Sequence, residues 1–231
     1  LKHACLQNKV NLNLQWIDAD SYETEDIASL DGVVVPGGFG VRGIEGKISA
    51  IQYLREKKIP FLGICLGLQC AVIEYARNVC GITEANSSEF SQNTKDFVID
   101  LLPNQDLSKD NIGGSMRLGT FPCKITKGTS TSEIYKDEVI YERHRHRYEV
   151  NNKYREVLEN NGLIFSGLSP DNNLVEMIEL KDHPFFVASQ FHPEFKSRPW
   201  DPAPMFSKFI ESSSAMQNKT KPTSSKTKVK D

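Results

Sequence analysis

The chain has no apolar run approaching the ~20 residues that a membrane-crossing helix needs, no CxxC pair, and no Gly-Lys-Ser/Thr triplet behind a glycine-rich loop. These absences argue against a helical span, a zinc knuckle or dithiol redox motif, and the phosphate cradle of a nucleotide triphosphatase. An excess of either charge is also missing. With 28 basic against 30 acidic residues, no field favours nucleic acid or an anionic membrane surface. The five cysteines, Cys5, Cys65, Cys70, Cys80 and Cys123, are odd in number and irregularly spaced, which is no disulfide framework. The opening LKHACLQNKV is not a signal peptide, and no internal repeat is visible. The expectation is a reduced, cytoplasmic protein with no membrane and no nucleic-acid partner.

Against these absences stands an ordinary globular composition, 39% hydrophobic and 25% charged over 231 residues, enough to bury a real core. Up to about residue 80, strand and helix patterns alternate, the mark of a parallel sheet wrapped by helices. Leu12, Leu14 and Trp16 alternate as one strand and GVVVP (32–36) reads as a buried second. Apolar residues from Ile44 to Leu54 recur at helical spacing, and PFLGIC makes a third strand ending at Cys65. Leu68, Ala71, Val72, Tyr75, Ala76 and Val79 then repeat at three and four, so a helix starts directly after that cysteine.

Further on, FVIDLL, GTFPCKI, VIYERHRHRYEV, LIFSGL, LVEMIEL and FFVASQF read as strands, some of them antiparallel, with KYREVLEN a short helix. Asp201 and Pro202 suit the N-cap and first position of a last helix. Beyond Ser212 the chain is Ser, Thr and Lys with little to bury, giving an ordered domain over 1–211 and a disordered tail over 212–231. The fold class expected is α/β: a mostly parallel central sheet flanked by helices, flavodoxin-like, with additional antiparallel strands.

GICLG (63–67) has the form Gly-x-Cys-x-Gly between a buried strand and a helix, the cysteine version of a nucleophile elbow. A side chain on so sharp a turn needs neighbours without bulk, and the helix N-terminus beyond it favours a thiolate. The Leu66 N–H points at the reacting carbon. PGGFG (36–40) closes the preceding strand with backbone that can approach a ligand; Gly38 is a candidate second oxyanion donor, and equally a turn into the next helix.

A thiol nucleophile wants a histidine. Of His3, His144, His146, His183 and His192, the last is best placed: it follows an apolar strand and precedes Glu194 by two, so in extended chain both project to one side about 6 to 7 Å apart. HPE also matches half of the zinc-deaminase signature, but that needs a downstream PCxxC and no cysteine follows residue 123. In RHRHR, Arg143, Arg145 and Arg147 share one strand face and the histidines the other, a narrow basic cluster suited to a single anionic group such as an amino-acid carboxylate, or simply to solvent. The other four histidines read as structural or surface groups.

In order along the chain, VPGGFGVRG, GICLGLQ, SMRLG, RHRHRYEVNN and SQFHPEF resemble the glutamine amidotransferase domain of the CTP synthase family; the first, second and last resemble class I glutamine amidotransferases generally. The resemblance runs from Leu1 to about Ile210. It implies a ligase's glutaminase half that hydrolyses the side-chain amide of L-glutamine through a cysteine thioester. Cys65, His192 and Glu194 are then the triad and Gly38 the oxyanion glycine. Glutamine is held by the backbone of Leu66, Gly67 and Leu68, by Gln69, by Glu89 at its amino group and by Arg147 at its carboxylate. No cofactor or metal belongs to this domain; ATP and magnesium belong to a synthetase domain of the same polypeptide, which receives the ammonia and aminates UTP to CTP in pyrimidine biosynthesis. The full-length family member is expected to be a homo-oligomer. Against the family pattern, the synthetase domain and the first strand of the amidotransferase domain are expected to be missing from these 231 residues. A hydrolase of another γ-glutamyl compound and a regulatory module with a vestigial site are the competing readings.

Overall fold

The computed structural model describes residues 1–91, 93–101 and 116–220, with side chains through Gln217. Leu102 of FVIDLL, Ser115 of SMRLG and the tail beyond residue 220 lie outside the described residues. In chain order the elements are α1 (Lys2–Asn8), α2 (Thr24–Ala28), β1 (Val33–Val35), α3 (Ile44–Lys57), β2 (Phe61–Ile64), α4 (Leu66–Asn78), β3 (Asn86–Ser87), β4 (Phe97–Leu101), β5 (Arg117–Ile125) and α5 (Ser130–Tyr135). They continue with β6 (Val139–His146), β7 (Tyr148–Val150), α6 (Arg155–Asn160), β8 (Ile164–Leu168), β9 (Val175–Glu179), β10 (Phe186–Ser189) and α7 (Pro204–Thr220).

Seven strands form one sheet in the order β1-β2-β10-β9-β8-β5-β6, and β3-β4-β7 form a second. The large sheet is mixed. β2 lies between β1 and β10, parallel to both, whereas β9, β8, β5 and β6 continue antiparallel. Chain connectivity explains the change: α3 is a crossover long enough to return the chain parallel, while β8 runs into β9 through a short turn that permits only reversal. The fold is thus α/β as expected, with the parallel part of the large sheet confined to β1, β2 and β10 around the cysteine and one further parallel pair, β3 with β4, in the small sheet.

Burial follows from that position. All four residues of β2 and all four of β10 are buried, as continuous apolar strands covered on both faces should be. Eleven of the 13 residues of α4 are buried, because it packs on the large sheet with one side and on the small sheet with the other. One core cluster joins α3, α4 and the small sheet; a second joins α1, α5 and α7 around Leu62, Met177, Phe191 and Phe209.

Three expectations need correction. Residues 11–17, whose alternation suggests a strand, run without sheet pairing, Trp16 being 87% exposed. They line a cleft of about 1370 Å³ whose far wall is β1; alternating side chains alone do not make a strand when no neighbour is within hydrogen-bonding reach. The last helix begins at Pro204, not at Pro202: either proline fits a first helical position, and Asp201 is instead held in a turn with Arg198. That helix continues to Thr220, past the expected boundary at 211, because Ser213 is buried with its hydroxyl donating to the Phe209 carbonyl and Met216 packs on the core.

Gly67 shows how tightly the helix after Cys65 is seated. A Cβ there would sit 2.2 Å from the Val35 carbonyl oxygen, and one at Gly63 would meet Ala188 Cβ at 2.7 Å. Gly67→Ala is therefore expected to destabilise the fold by about 1–3 kcal/mol through overpacking, read as a lower urea midpoint. An unchanged midpoint would mean that α4 is not pinned to β1.

Candidate active site

The end of β2 aims Cys65 out of the sheet. Its backbone stands at φ 53, ψ −100, an uncommon conformation for a residue with a side chain, costing roughly 1–3 kcal/mol. What holds it is the Cys65 N–H, which donates to the Ser189 carbonyl of β10 at 2.6 Å, and the two flanking glycines that let β10 and β1 close in. Cys65 also N-caps α4, its carbonyl accepting from the N–H groups of Leu68 at 3.1 Å and Gln69 at 3.2 Å.

The end of β10 brings the histidine to the same place. A Cβ built on Gly37 would lie 2.7 Å from His192 Cε1, 3.5 Å from His192 Nε2 and 3.5 Å from Cys65 Cβ. Only a bare backbone fits between thiol and imidazole, which gives the first glycine of PGGFG a steric role beyond the turn. His192 Nδ1 donates to Glu194 Oε1 at 2.6 Å, so the ring carries a proton on Nδ1 and turns Nε2 inward. That Nε2 is buried and makes no hydrogen bond, while the Cys65 thiol points to the Arg145 carbonyl at 3.8 Å. In this resting state sulfur and Nε2 are neighbours without a direct bond.

Around the sulfur is a small cavity of about 10 Å³, lined by Gly38, Phe39, Cys65, Gln69, Glu89, His146, Arg147 and Tyr148. The cleft at β1 is far larger but is lined by neither Cys65 nor His192, so size does not locate the chemistry. Five sequence candidates (Gly38, Cys65, Gln69, Glu89 and Arg147) converge on the small cavity. Leu66, Gly67 and Leu68 stand behind it: the Leu66 N–H is bonded toward the thiol, and the Leu68 N–H is committed to the helix's first turn. Gln69 donates to the Tyr148 carbonyl at 3.1 Å, and Glu89 accepts from the Gly40 N–H at 2.9 Å.

The alternation across RHRHR holds only in part. Arg143 and Arg145 are exposed, but β6 stops at His146 and the chain passes to the small sheet at Tyr148. Arg147 sits at that crossing and therefore leaves the shared face for the cavity. His146, read from sequence as structural or surface, also lines it; the signal was the buried parity of the strand. His144 Nδ1 lies 2.9 Å from His146 Nε2, and burial beside the Arg117 guanidinium lowers the two imidazoles to about 2 and about 3, so both stay neutral. Arg117, from SMRLG, is itself largely buried beside them, 2.6 Å from Glu176. Among the described residues, no group of three or more His, Cys, Asp or Glu could hold a metal ion.

The expected thiolate is not the resting form. Burial pushes the Cys65 thiol up to about 12; the Leu66 N–H opposes this, and the Glu194, Glu149 and Glu89 carboxylates add to it. One helix terminus does not outweigh desolvation of a buried charge.

A family model, glutamine amidotransferase class-I, matches residues 1–212. The chain belongs to the class I glutamine amidotransferase family. Within that family it is homologous to the glutaminase half of CTP synthase. It is 60% identical to the CTP synthase of Caldanaerobacter subterraneus subsp. tengcongensis over 215 residues, 91% of this chain and 40% of that one. To the CTP synthase of Bacillus subtilis it is 56% identical over 217 residues, covering 92% and 40%. The glutaminase domain of Trypanosoma brucei CTPS with bound acivicin superposes with a TM-score of 0.84 at 38% identity, covering 93% of this chain and 85% of that one. The chain thus spans 40% of the length of these two curated relatives.

The raised thiol predicts slow reaction with a simple alkylating agent. A group protonated below about 12 offers almost no thiolate at pH 8, so Cys65 should be alkylated by iodoacetamide at least ~tenfold more slowly than glutathione, read by peptide mass spectrometry. Equal rates would contradict the protonated resting state.

Proposed function

We propose that this chain hydrolyses the side-chain amide of L-glutamine to glutamate and ammonia, as the glutaminase part of a CTP synthase. What supports the reading most directly is the convergence of Cys65 and His192 on the Gly37 backbone, with Nε2 left without a hydrogen bond by the 2.6 Å contact between Nδ1 and Glu194.

The chemistry follows from those positions. Glutamine enters with its carboxylate at Arg147 and its ammonium at Glu89, which exchanges the Gly40 N–H for the charged donor. The cavity of about 10 Å³ has room for about one water, which needs ~10–15 Å³ on the same measure, so Phe39 and the Glu89 segment move apart to admit glutamine. His192 Nε2 removes the thiol proton as sulfur attacks the amide carbon, so the high thiol pKa is overcome only when base and electrophile meet. Charge on the amide oxygen is taken by the Leu66 and Gly38 N–H groups. The tetrahedral centre collapses as His192 returns its proton to the leaving nitrogen, releasing ammonia and leaving a γ-glutamyl thioester. Water, activated by the same imidazole, then frees glutamate and restores the thiol. Glu194 holds the tautomer and stabilises the imidazolium formed in each half.

No described helix is long and apolar enough to cross a membrane. The wider setting belongs to the same proposal: ammonia passes to a synthetase domain that aminates UTP with ATP and magnesium, within a cytoplasmic homo-oligomer. Ammonia is mostly protonated near neutral pH and then not nucleophilic, which favours direct transfer.

Cys65→Ala should abolish glutamine-dependent ammonia release, by at least ~10³-fold, and an electrophilic glutamine analogue should add its mass to Cys65 alone. Undiminished release from that variant removes Cys65 from the mechanism. Arg147→Ala should raise KM for glutamine about tenfold or more through the lost bidentate contact, with kcat less affected; an unchanged KM would place the carboxylate elsewhere.

A further inference from the structure

β6 is the last strand of the seven-stranded sheet, so one of its edges pairs with β5 and the other pairs with no strand among the described residues. Its odd-numbered residues turn their carbonyls to that outer edge, and each of three successive ones meets part of the reaction centre. Arg145 O faces the Cys65 thiol at 3.8 Å, Arg143 O accepts from the His192 N–H at 2.8 Å, and Tyr141 O accepts from Lys196 Nζ at 2.6 Å. Nucleophile, base and Lys196 are therefore registered along one strand.

Lys196 closes the 3-10 turn Pro193–Phe195 that carries Glu194. Besides the Tyr141 carbonyl, its ammonium stands 3.7 Å from Glu142 Oε1, a side chain only 4% exposed. Between the two attachments, Phe195 stacks near the His192 ring at 5.4 Å and under the Arg143 guanidinium at 5.9 Å. Without Lys196, the turn would be tied to β6 by the His192 amide and the soft Phe195 contact.

We infer that Lys196 and Glu142 are positioning residues for glutamine hydrolysis: they clamp the turn bearing His192 and Glu194 onto the outer edge of β6, in register with the Cys65 sulfur. The inference rests on the glutaminase reading above. Neither residue touches substrate; both act through His192, whose alignment sets the rate of proton transfer rather than the affinity for glutamine.

Charge makes the clamp pH-sensitive. Burial pushes Glu142 up to about 7, the Lys196 ammonium opposing and the Glu194 carboxylate adding to the rise. Tyr135 from α5 and Cys123 from β5 also feel its charge, and both are held protonated at neutral pH by burial. The sign follows. Above about 7 the carboxylate is ionised and draws Lys196 in; as pH falls through that value the attraction is lost and the Tyr141 carbonyl alone retains the ammonium.

The test compares Lys196→Ala, Lys196→Arg and Glu142→Gln in the full-length protein, with Cys65→Ala as control. Expected are a kcat lowered about tenfold in Lys196→Ala with KM within about twofold, recovery of kcat in Lys196→Arg, and faster hydrogen exchange of the His192 amide in the alanine variant. Glu142→Gln should match wild type at pH 6, where Glu142 is itself protonated, and fall behind it at pH 8. Wild-type kcat in Lys196→Ala, or a Glu142→Gln to wild-type ratio that does not change with pH, overturns the clamp. If Cys65→Ala hydrolyses glutamine as fast as wild type, the glutaminase reading fails, and the clamp with it; that result is told apart because it involves no change at residues 142 or 196.

Discussion

The hydrogen bond from the Cys65 amide to the Ser189 carbonyl, 2.6 Å long, is the constraint on which the site depends. It joins the ends of two fully buried parallel strands, and each strand continues into one half of the chemistry: β2 into the sulfur, β10 into the imidazole. The strained dihedrals at Cys65 persist because the surroundings over-determine them. β1 presses its carbonyl against Gly67 from one side and Ala188 presses against Gly63 from the other. Catalytic geometry and core packing here are one problem, solved by the same few atoms.

Electrostatics around the sulfur oppose its ionisation. Three carboxylates and near-complete burial raise the thiol, while the histidines behind it are kept neutral by Arg117 and by desolvation. A permanent thiolate in that setting would be an unpaired buried charge, among the most expensive features a fold can hold. In the proposed mechanism, charge separation is instead deferred to the moment when a substrate carbonyl and two backbone N–H groups are present to receive it.

Much of this was legible in the sequence where local pattern and tertiary fate agree. PFLGIC and FFVASQF are largely apolar because both of their faces are covered, GVVVP is apolar although Val33 and Val34 are only half-buried beside the cleft, and the helix after Cys65 shows its period plainly. Gly63 and Gly67 could be read as a tight turn, and His192 with Glu194 as a dyad, from spacing alone. Other features depend on what lies across space. Leu12, Leu14 and Trp16 have a strand's alternation without a strand's partner. Arg147 looks like one more member of an alternating series until the chain changes sheets beneath it. His146 shares its type and spacing with structural histidines, and only the approach of the end of β6 to Cys65 brings it to the cavity. The thiol's ionisation was misjudged because burial, a sum over many neighbours, leaves no motif.

The outer edge of β6 also bears on how the molecule avoids sticking to itself. An end strand with open carbonyls is a template for adding another chain, edge to edge. Here the Lys196 ammonium and the His192 amide already occupy two of those acceptors, and Arg143 and Arg145 set like charges along the same strand. The groups inferred to align the reaction therefore also blunt the sheet's margin against aggregation, so mutations that loosen the turn should cost solubility as well as rate.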